Sequence, residues 1–387
     1  RSDILKEGVE IPSLFFIILL AMNANTDNVT IFGIGKLGLC LALNLERSNF
    51  NVLGVDISQD YIDQVNSKTL RSTEKDVETL LRDSKNFTAT TSTSSGVEFS
   101  NNLFVMVATP SLEDGSYDHS QILSLVRELK SLGRQSTTKH LIIGCTTMPS
   151  FCDELQGELD EYNYEISYNP EFIAQGTVIA DQLEPDMVLI GSRKEDKAQE
   201  IIDIYKKLVK NNPPYHVMSP ISAELCKISL NCFITTKIAF TNMVGDLAAE
   251  VGAEPQKIMD AIGTDSRVGS KCTKYGYGYG GPCFPRDNRA LGFFAKKNHC
   301  CIEISNATDK CNKEHLNFMI QTYDGPEEIT FDSVTYKPES DIIEESQQLF
   351  YAAGLAKTGI KVTIRERPHV LEKLKGIYDT LFEYEIR

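Results

Sequence analysis

Val29-Thr-Ile-Phe-Gly-Ile-Gly-Lys-Leu-Gly38 decides how the rest of the chain is read. Val29–Phe32 reads as a short strand, and a helical pattern runs on from the glycines to about Arg47. Gly33, Gly35 and Gly38 therefore form GxGxxG between a strand and a helix start, the context that motif requires. Gly33, Ile34, Gly35, Lys36, Leu37 and Gly38 would let a diphosphate approach backbone N–H groups at the positive end of a helix dipole. A second strand-like run, Asn51-Val-Leu-Gly-Val-Asp56, ends in an acid 18 residues past the last glycine. A carboxylate there accepts hydrogen bonds from a ribose diol and repels a 2′-phosphate, so NAD is favoured over NADP. The bland alternative is a glycine-tight turn that binds nothing.

Strand-like runs continue at Leu103–Ala108, His140–Cys145, Glu165–Tyr168 and Met187–Gly191, with helical stretches such as Ser120–Leu132 and Lys194–Val209. Alternating strands and helices predict an α/β fold with a parallel, doubly wound sheet. Ligands in such sheets sit beyond the carboxyl ends of the strands. Thr109-Pro110, Thr146-Thr147 and Asn169-Pro-Glu171 fall there; each alone reads as turn chemistry, and their shared position keeps them as candidates.

Ser219-Pro220 opens a helical pattern that runs from about Ile221 to Glu250, where Gly252 stops it. At 1.5 Å per residue this helix is roughly 45 Å long, a spine between domains or between subunits. Lys227 and Asn231 are four apart and share a face; the alternative for Lys227 is an exposed ion pair with Glu224. A second helix, Glu254–Ile262, leads to Asp265-Ser-Arg-Val-Gly269 and then to Tyr275-Gly-Tyr-Gly-Tyr-Gly-Gly-Pro-Cys-Phe-Pro-Arg-Asp287. The glycines permit positive φ and close approach to a ligand. Cys283, with Arg286 and Asp287 beside it, is a candidate nucleophile whose thiolate a nearby cation would favour; the alternative is a surface loop with a structural cysteine. Helices at Ala290–Asn298 and Ser305–Gln321 follow. A smaller α/β unit then has strands at Ile329–Tyr336 and Ile360–Ile364 and a helix at Ser346–Lys357. The expected division is 22–215, 216–322 and 323–387. Residues 1–21, apolar over Ile11–Leu20 but too short to span a bilayer, read as a leader or an added extension.

The 387 residues allow two or three domains, and a net charge of −15 argues against nucleic acid or an anionic membrane as partner. Ten cysteines without a CxxC pair read as free thiols of a reducing, cytoplasmic compartment, with no zinc site.

Taken together, these motifs resemble the UDP-glucose/GDP-mannose dehydrogenase family over roughly residues 28–366. Gly280-Gly-Pro-Cys-Phe-Pro-Arg-Asp287 is similar to its GGxCxPKD signature. Gly33–Gly38, Asn169-Pro-Glu-Phe172, Ala223-Glu-Leu-Cys-Lys227 with Asn231, Asp265–Gly269 and Tyr336-Lys-Pro338 support it. The resemblance implies two Rossmann-like domains joined by a long-helix dimerisation segment, a homodimer. The implied chemistry is a four-electron oxidation of a nucleotide-sugar C6 alcohol to a carboxylate with two NAD. Cys283 would form a thiohemiacetal and then a thioester, Lys227 would face the oxyanion with Asn231 in support, and Thr146, Glu171 and Asp287 would order and activate water. Thr109, Thr146 and Arg286 join the cofactor side. Glu171, Phe172, Lys227, Asn231, Lys274, Tyr275, Gly276, Gly280, Gly281, Tyr336 and Lys337 would line the substrate, with Arg267 reaching it across the dimer. UDP-glucose is the favoured substrate, with UDP-N-acetylhexosamines and GDP-mannose as alternatives. The chain departs from the family at Arg286, where a lysine is usual, and at Ser150, Met243 and Glu344, the last in place of a frequent arginine. Two other readings compete: a two-electron hydroxyacid-type dehydrogenase, which would not need Cys283, and a dinucleotide sensor, which would need no nucleophile.

Overall fold

The computed structural model describes residues 27–173, 176–337 and 340–387; the expected leader lies outside them. In chain order the first part runs β1 (Asn28–Phe32), α1 (Lys36–Arg47), β2 (Asn51–Val55), α2 (Gln59–Asn66), α3 (Val77–Asp83), β3 (Phe87–Thr90), α4 (Thr93–Phe99), β4 (Asn102–Val105), α5 (Ser120–Ser131), β5 (Lys139–Ile143), α6 (Phe151–Leu159), β6 (Tyr164–Tyr168), α7 (Val178–Leu183), β7 (Val188–Gly191), α8 (Glu195–Leu208) and β8 (Tyr215–Met218). These strands form one sheet in the order β3-β2-β1-β4-β5-β6-β7-β8. Side chains alternate across it as a period of two dictates. Ile31, Phe104 and Ile142 pack on the face covered by α1, α7 and α8. Leu103, Val105, Leu141 and Ile143 pack on the face covered by α5 and α6.

The sheet is parallel with one exception. β6 and β7 meet antiparallel through a single pair, Tyr168↔Gly191, which corrects the expectation of a wholly parallel sheet. Gly191 is required at this contact, because a Cβ there would lie 2.9 Å from both the Ala223 Cβ and the Pro220 Cα. The long helix therefore presses directly on the sheet at the switch in strand direction.

That helix, α9 (Pro220–Glu250), has 31 residues. Ser219 caps it by accepting from the Ser222 N–H, and Pro220 fills its first turn. Around it pack α10 (Pro255–Thr264), α11 (Phe284–Lys297) and α12 (Glu303–Gln321). The last unit comprises β9 (Glu328–Phe331), α13 (Gln347–Lys357), β10 (Lys361–Glu366), α14 (Pro368–Tyr378) and β11 (Glu383–Ile386). Its parallel sheet has the order β11-β10-β9, over a core of Val362, Ile364, Leu355, Val370 and Leu374. β9 ends at Phe331 rather than Tyr336, so Tyr336 stands in a turn, its N–H bonded to the Ile342 carbonyl at 2.9 Å. Among the described residues no helix is long and apolar enough to cross a membrane.

Candidate active site

The glycine turn has the shape its sequence requires. Gly33 lies at φ +84°, and a Cβ on it would stand 2.8 Å from Val107. A Cβ on Gly38 would stand 2.0 Å from the Gly33 carbonyl, so the first turn of α1 closes tightly onto the end of β1. Gly35 differs, since nothing lies within 4 Å of where its Cβ would be. It is the N-cap of α1, with no capping side chain and no acid in the first turn. Open space at an uncapped helix N-terminus is what a diphosphate needs. Ile34 is buried and its carbonyl accepts from the Tyr61 hydroxyl at 2.7 Å; Leu37 packs against the core, and Lys36 pairs with the buried Glu74 at 3.1 Å. Asp56 follows β2 with its N–H on the Thr90 carbonyl at 3.1 Å and one oxygen on the Ser58 N–H at 3.3 Å. These residues fit NAD: the turn admits the diphosphate, and Asp56 keeps carboxylate surface for a ribose.

Beyond the strand ends, Thr109 donates to the Thr146 carbonyl at 2.7 Å, and Arg286 donates to the Thr109 carbonyl at 2.8 Å. Arg286 also lies over the Tyr117 ring at 4.5 Å. Its guanidinium thus ties the cysteine loop to the large sheet.

Cys283 is the N-cap of α11, with Pro285 in the first turn. The helix begins earlier than the expected Ala290, and Asp287 consequently sits in its first turn. That carboxylate is 1% exposed. It accepts from the Tyr117 hydroxyl at 2.7 Å and from Asn231 Nδ2 at 2.6 Å, with Arg286 Nε at 3.4 Å. Asn231 and Lys227 come from one face of α9. Lys227 is buried and donates to the Glu171 backbone carbonyl at 2.7 Å, with its ammonium 4.5 Å over the Phe172 ring. The exposed Glu224 pair is thereby overturned. Glu224 is itself buried and takes the Thr147 hydroxyl at 3.0 Å and the Ser150 and Cys152 N–H groups at 2.7 and 2.9 Å. Those two N–H groups belong to the start of α6, so the acid caps a helix instead of pairing with lysine.

The electrostatics set the groups apart. Burial pushes Glu171 up to about 7, while Lys227 and then a bond from Gln182 pull it down. Burial also lowers Lys227, with Asp287 and Cys283 the largest opposing influences. Cys283 keeps solvent contact, yet protein crowding its other sides pushes the thiol up; Arg286 and Lys227 oppose this, and Asp287 and Glu344 add to it. The cations therefore moderate the thiol without reversing its shift, contrary to the expectation from sequence. Glu344, the acid in place of a frequent arginine, is one reason.

The glycine loop is anchored on the other side of α9. Tyr275 lies on Gly245, where a Cβ would be 2.0 Å from its ring, and its hydroxyl donates to Asp246 at 2.9 Å. Gly276, at φ +156°, donates to Asn242 Oδ1 at 3.2 Å. Buried His315 places Nδ1 at 2.8 Å from Asp246 and Nε2 at 2.6 Å from the Gly276 carbonyl. Gly280 and Gly281 face the last unit: a Cβ would meet the Glu345 carbonyl at 2.1 Å in the first case and the Tyr336 ring at 2.5 Å in the second. Burial raises Tyr336 to about 12, with the charge of Cys283 the next cause. Lys337 lies 5.6 Å over the Tyr336 ring. Arg267 is exposed and forks onto Asp265 at 2.7 and 3.0 Å; Lys274 is exposed at a shallow cleft beside Gln256 and Asp260. Nothing among the described residues ties these two to the cysteine cluster. Tyr117, Asp246, His315 and Gln182 went unnoticed in the sequence, and Glu224 was considered only as a partner of Lys227, because no local motif marks partners that lie 11 to 170 residues away.

The NAD binding domain of the UDP-glucose/GDP-mannose dehydrogenase family matches residues 27–209, and the central domain of the same family matches residues 221–314. An uncharacterized protein of Methanocaldococcus jannaschii is 31% identical over 298 residues, 75% of this chain, which spans only 33% of that protein's length. The UDP-glucose 6-dehydrogenase of Rickettsia bellii is 28% identical over 298 residues, covering 76% of this chain and 68% of that one. The structure of a UDP-glucose dehydrogenase from Pyrobaculum islandicum superposes with a TM-score of 0.83 at 25% identity, covering 94% of this chain and 87% of that chain.

Proposed function

Since the chain belongs to the UDP-glucose/GDP-mannose dehydrogenase family, we propose that it oxidises the C6 alcohol of a nucleotide sugar to the uronate in two steps, with UDP-glucose as substrate. The relatives named for UDP-glucose support that choice. The single observation that carries the mechanism is the convergence of Lys227, Asn231, Cys283 and Asp287. Two come from the middle helix and two from a helix start 56 residues on, and Asn231 is bonded to Asp287 at 2.6 Å.

NAD, when bound, accepts a hydride from C6 in each oxidation. The chain's residues do the rest. Lys227 holds positive charge where the C6 oxygen becomes anionic, an electrostatic contribution of a few kcal/mol. The Cys283 thiolate adds to the aldehyde carbon and gives a thiohemiacetal, which retains the aldehyde. Loss of the second hydride leaves a thioester. Water, oriented by Thr146, Glu171 and Asp287, attacks the acyl carbon; the C–S bond breaks, the thiol is regenerated and the carboxylate leaves. A group near 7, as burial makes Glu171, exchanges a proton readily at neutral pH. The loop from Tyr275 to Gly281, with Phe172, Tyr336 and Lys337, receives the sugar diphosphate.

The same reading takes the protein as a homodimer on α9. Phe233, Phe240 and Leu247, at sevenfold spacing, are 66%, 50% and 64% exposed. Ile228, on the same helix, is fully buried against Tyr117, Cys232 and Ala290 and takes no part in that face. In the dimer Arg267 reaches the neighbouring site. NADH fluorescence with a panel of UDP-glucose, UDP-N-acetylhexosamines, GDP-mannose and hydroxyacids tests the substrate; formation with UDP-glucose is expected, and formation with hydroxyacids alone would remove the reading.

A further inference from the structure

The hydrogen bonds behind Glu171 run in one direction only. Asn44 lies on α1, fully buried, and its Nδ2 donates to the Ile179 carbonyl and to Gln182 Oε1, both at 3.1 Å. A backbone carbonyl only accepts, so the Asn44 amide has one orientation. Gln182, buried on α7, must then turn its oxygen to Asn44 and its Nε2 to Glu171 Oε1, at 3.3 Å. An amide nitrogen cannot accept a hydrogen bond. Oε1 of Glu171 is therefore the accepting oxygen in either protonation state.

We propose that Gln182, fixed in orientation by Asn44, is a positioning residue that keeps the exchangeable proton of Glu171 on Oε2. The proposal rests on the reading of Glu171 as the group that orders and activates water. Neither amide touches the reacting atoms. Their effect passes through the acid, and it starts from the helix that opens at the glycine turn, since Asn44 belongs to α1. A proton confined to one oxygen is accepted and returned along one path, which suits an acid that must take a proton from the attacking water.

Every charged or titratable group around Glu171 bears on the test. Lys227 faces it from α9 and favours the carboxylate. Cys40 on α1 and Tyr205 on α8 lie within reach of its charge, and both are raised by burial first. Among the described residues, Gln182 adds a donor that can be removed without changing any charge.

The Glu171 midpoint is read by 13C NMR of the free protein labelled in its glutamate carboxyls, with Glu171→Gln as assignment control. Gln182→Leu is expected to raise the midpoint by about one pH unit, since a donor to the ionised form is lost. Asn44→Leu is expected to raise it as well without adding a charge, because Gln182, no longer held by the Asn44 amide, can turn its oxygen to Glu171. If Gln182→Leu does not fold, Gln182→Met, closer in length, carries the same expectation. The acid limb of aldehyde oxidation should move by the same amount. A purely structural role would lower stability and leave the midpoint in place. An unmoved midpoint in both variants, or a downward shift, overturns the relay. The NMR arm needs no substrate, so a failure of the proposed reaction shows separately, as absence of NADH with every nucleotide sugar.

Discussion

The two banks of the cleft are held in different ways. One bank is made of strand ends: Thr109 after β4, Thr146 after β5 and Glu171 after β6. Its backbone is fixed by the parallel ladder, while the Glu171 carboxylate is held by Gln182 at 3.3 Å. The other bank is made of helices: α9 contributes Lys227 and Asn231, and α11 contributes Cys283 and Asp287. There the Asp287 carboxylate alone receives Tyr117, Asn231 and Arg286. The contrast matches the work assigned to each side. Under the proposed mechanism, the groups that would hold a charge in place through two oxidations are the cross-tied ones, and the group that would change protonation has a weak tie and is pushed by burial to about 7.

Changes on the two banks should therefore differ in kind as well as size. Lys227→Ala should have the largest effect short of removing the nucleophile. It takes the charge from the developing oxyanion, and steady-state NADH production should fall by about 10²–10³-fold. An activity within a factor of three of wild type would detach Lys227 from the chemistry. Tyr117→Phe removes one donor from the buried Asp287 carboxylate and leaves the Arg286 stack in place. It should cost about 1–2 kcal/mol in chemical denaturation, with roughly tenfold less turnover; unchanged stability would mean that the helix bank is not held as described.

Glu171→Gln probes the other bank through pH. A carboxyl raised from 4.5 to about 7 in the folded protein stabilises it fully below 4.5, and that contribution is lost as pH rises through 7. The wild type should thus lose stability relative to Glu171→Gln across that window, by about 3 kcal/mol, in denaturation curves taken every half unit. A flat difference would place Glu171 in water rather than in the protein. Asp56→Ala should have the smallest effect, weaker NAD binding with about tenfold less discrimination against NADP. Equal use of both cofactors by the wild type would remove Asp56 from the ribose.

The same contrast explains what could be read without coordinates. Motif residues on the strand bank were legible because GxGxxG, Asp56 and Asn169-Pro-Glu171 are local patterns at predictable strand ends. The edge strands β3 and β8 were not, since Phe87-Thr-Ala-Thr90 and Tyr215-His-Val-Met218 are four residues each and carry partly exposed faces. The reversal at β7 rests on one residue pair and leaves no periodic trace. On the helix bank, Lys227 and Asn231 were legible through their spacing of four. The start of α11 at Phe284 was missed although Pro285 is a usual first-turn residue; the run of glycines before it reads as loop throughout. Tyr117 and His315 were beyond reach, because their meaning lies in partners 170 and 69 residues away.

The central claim is that Cys283 carries the second oxidation, and product stoichiometry with intact-protein mass tests it most directly. Wild type should form two NADH per nucleotide sugar and return to its unmodified mass. Cys283→Ser should accumulate the mass of an acyl adduct, because an ester hydrolyses far less readily than a thioester. One NADH per sugar in the wild type, or full activity in Cys283→Ala, would contradict the account and return the chain to two-electron chemistry.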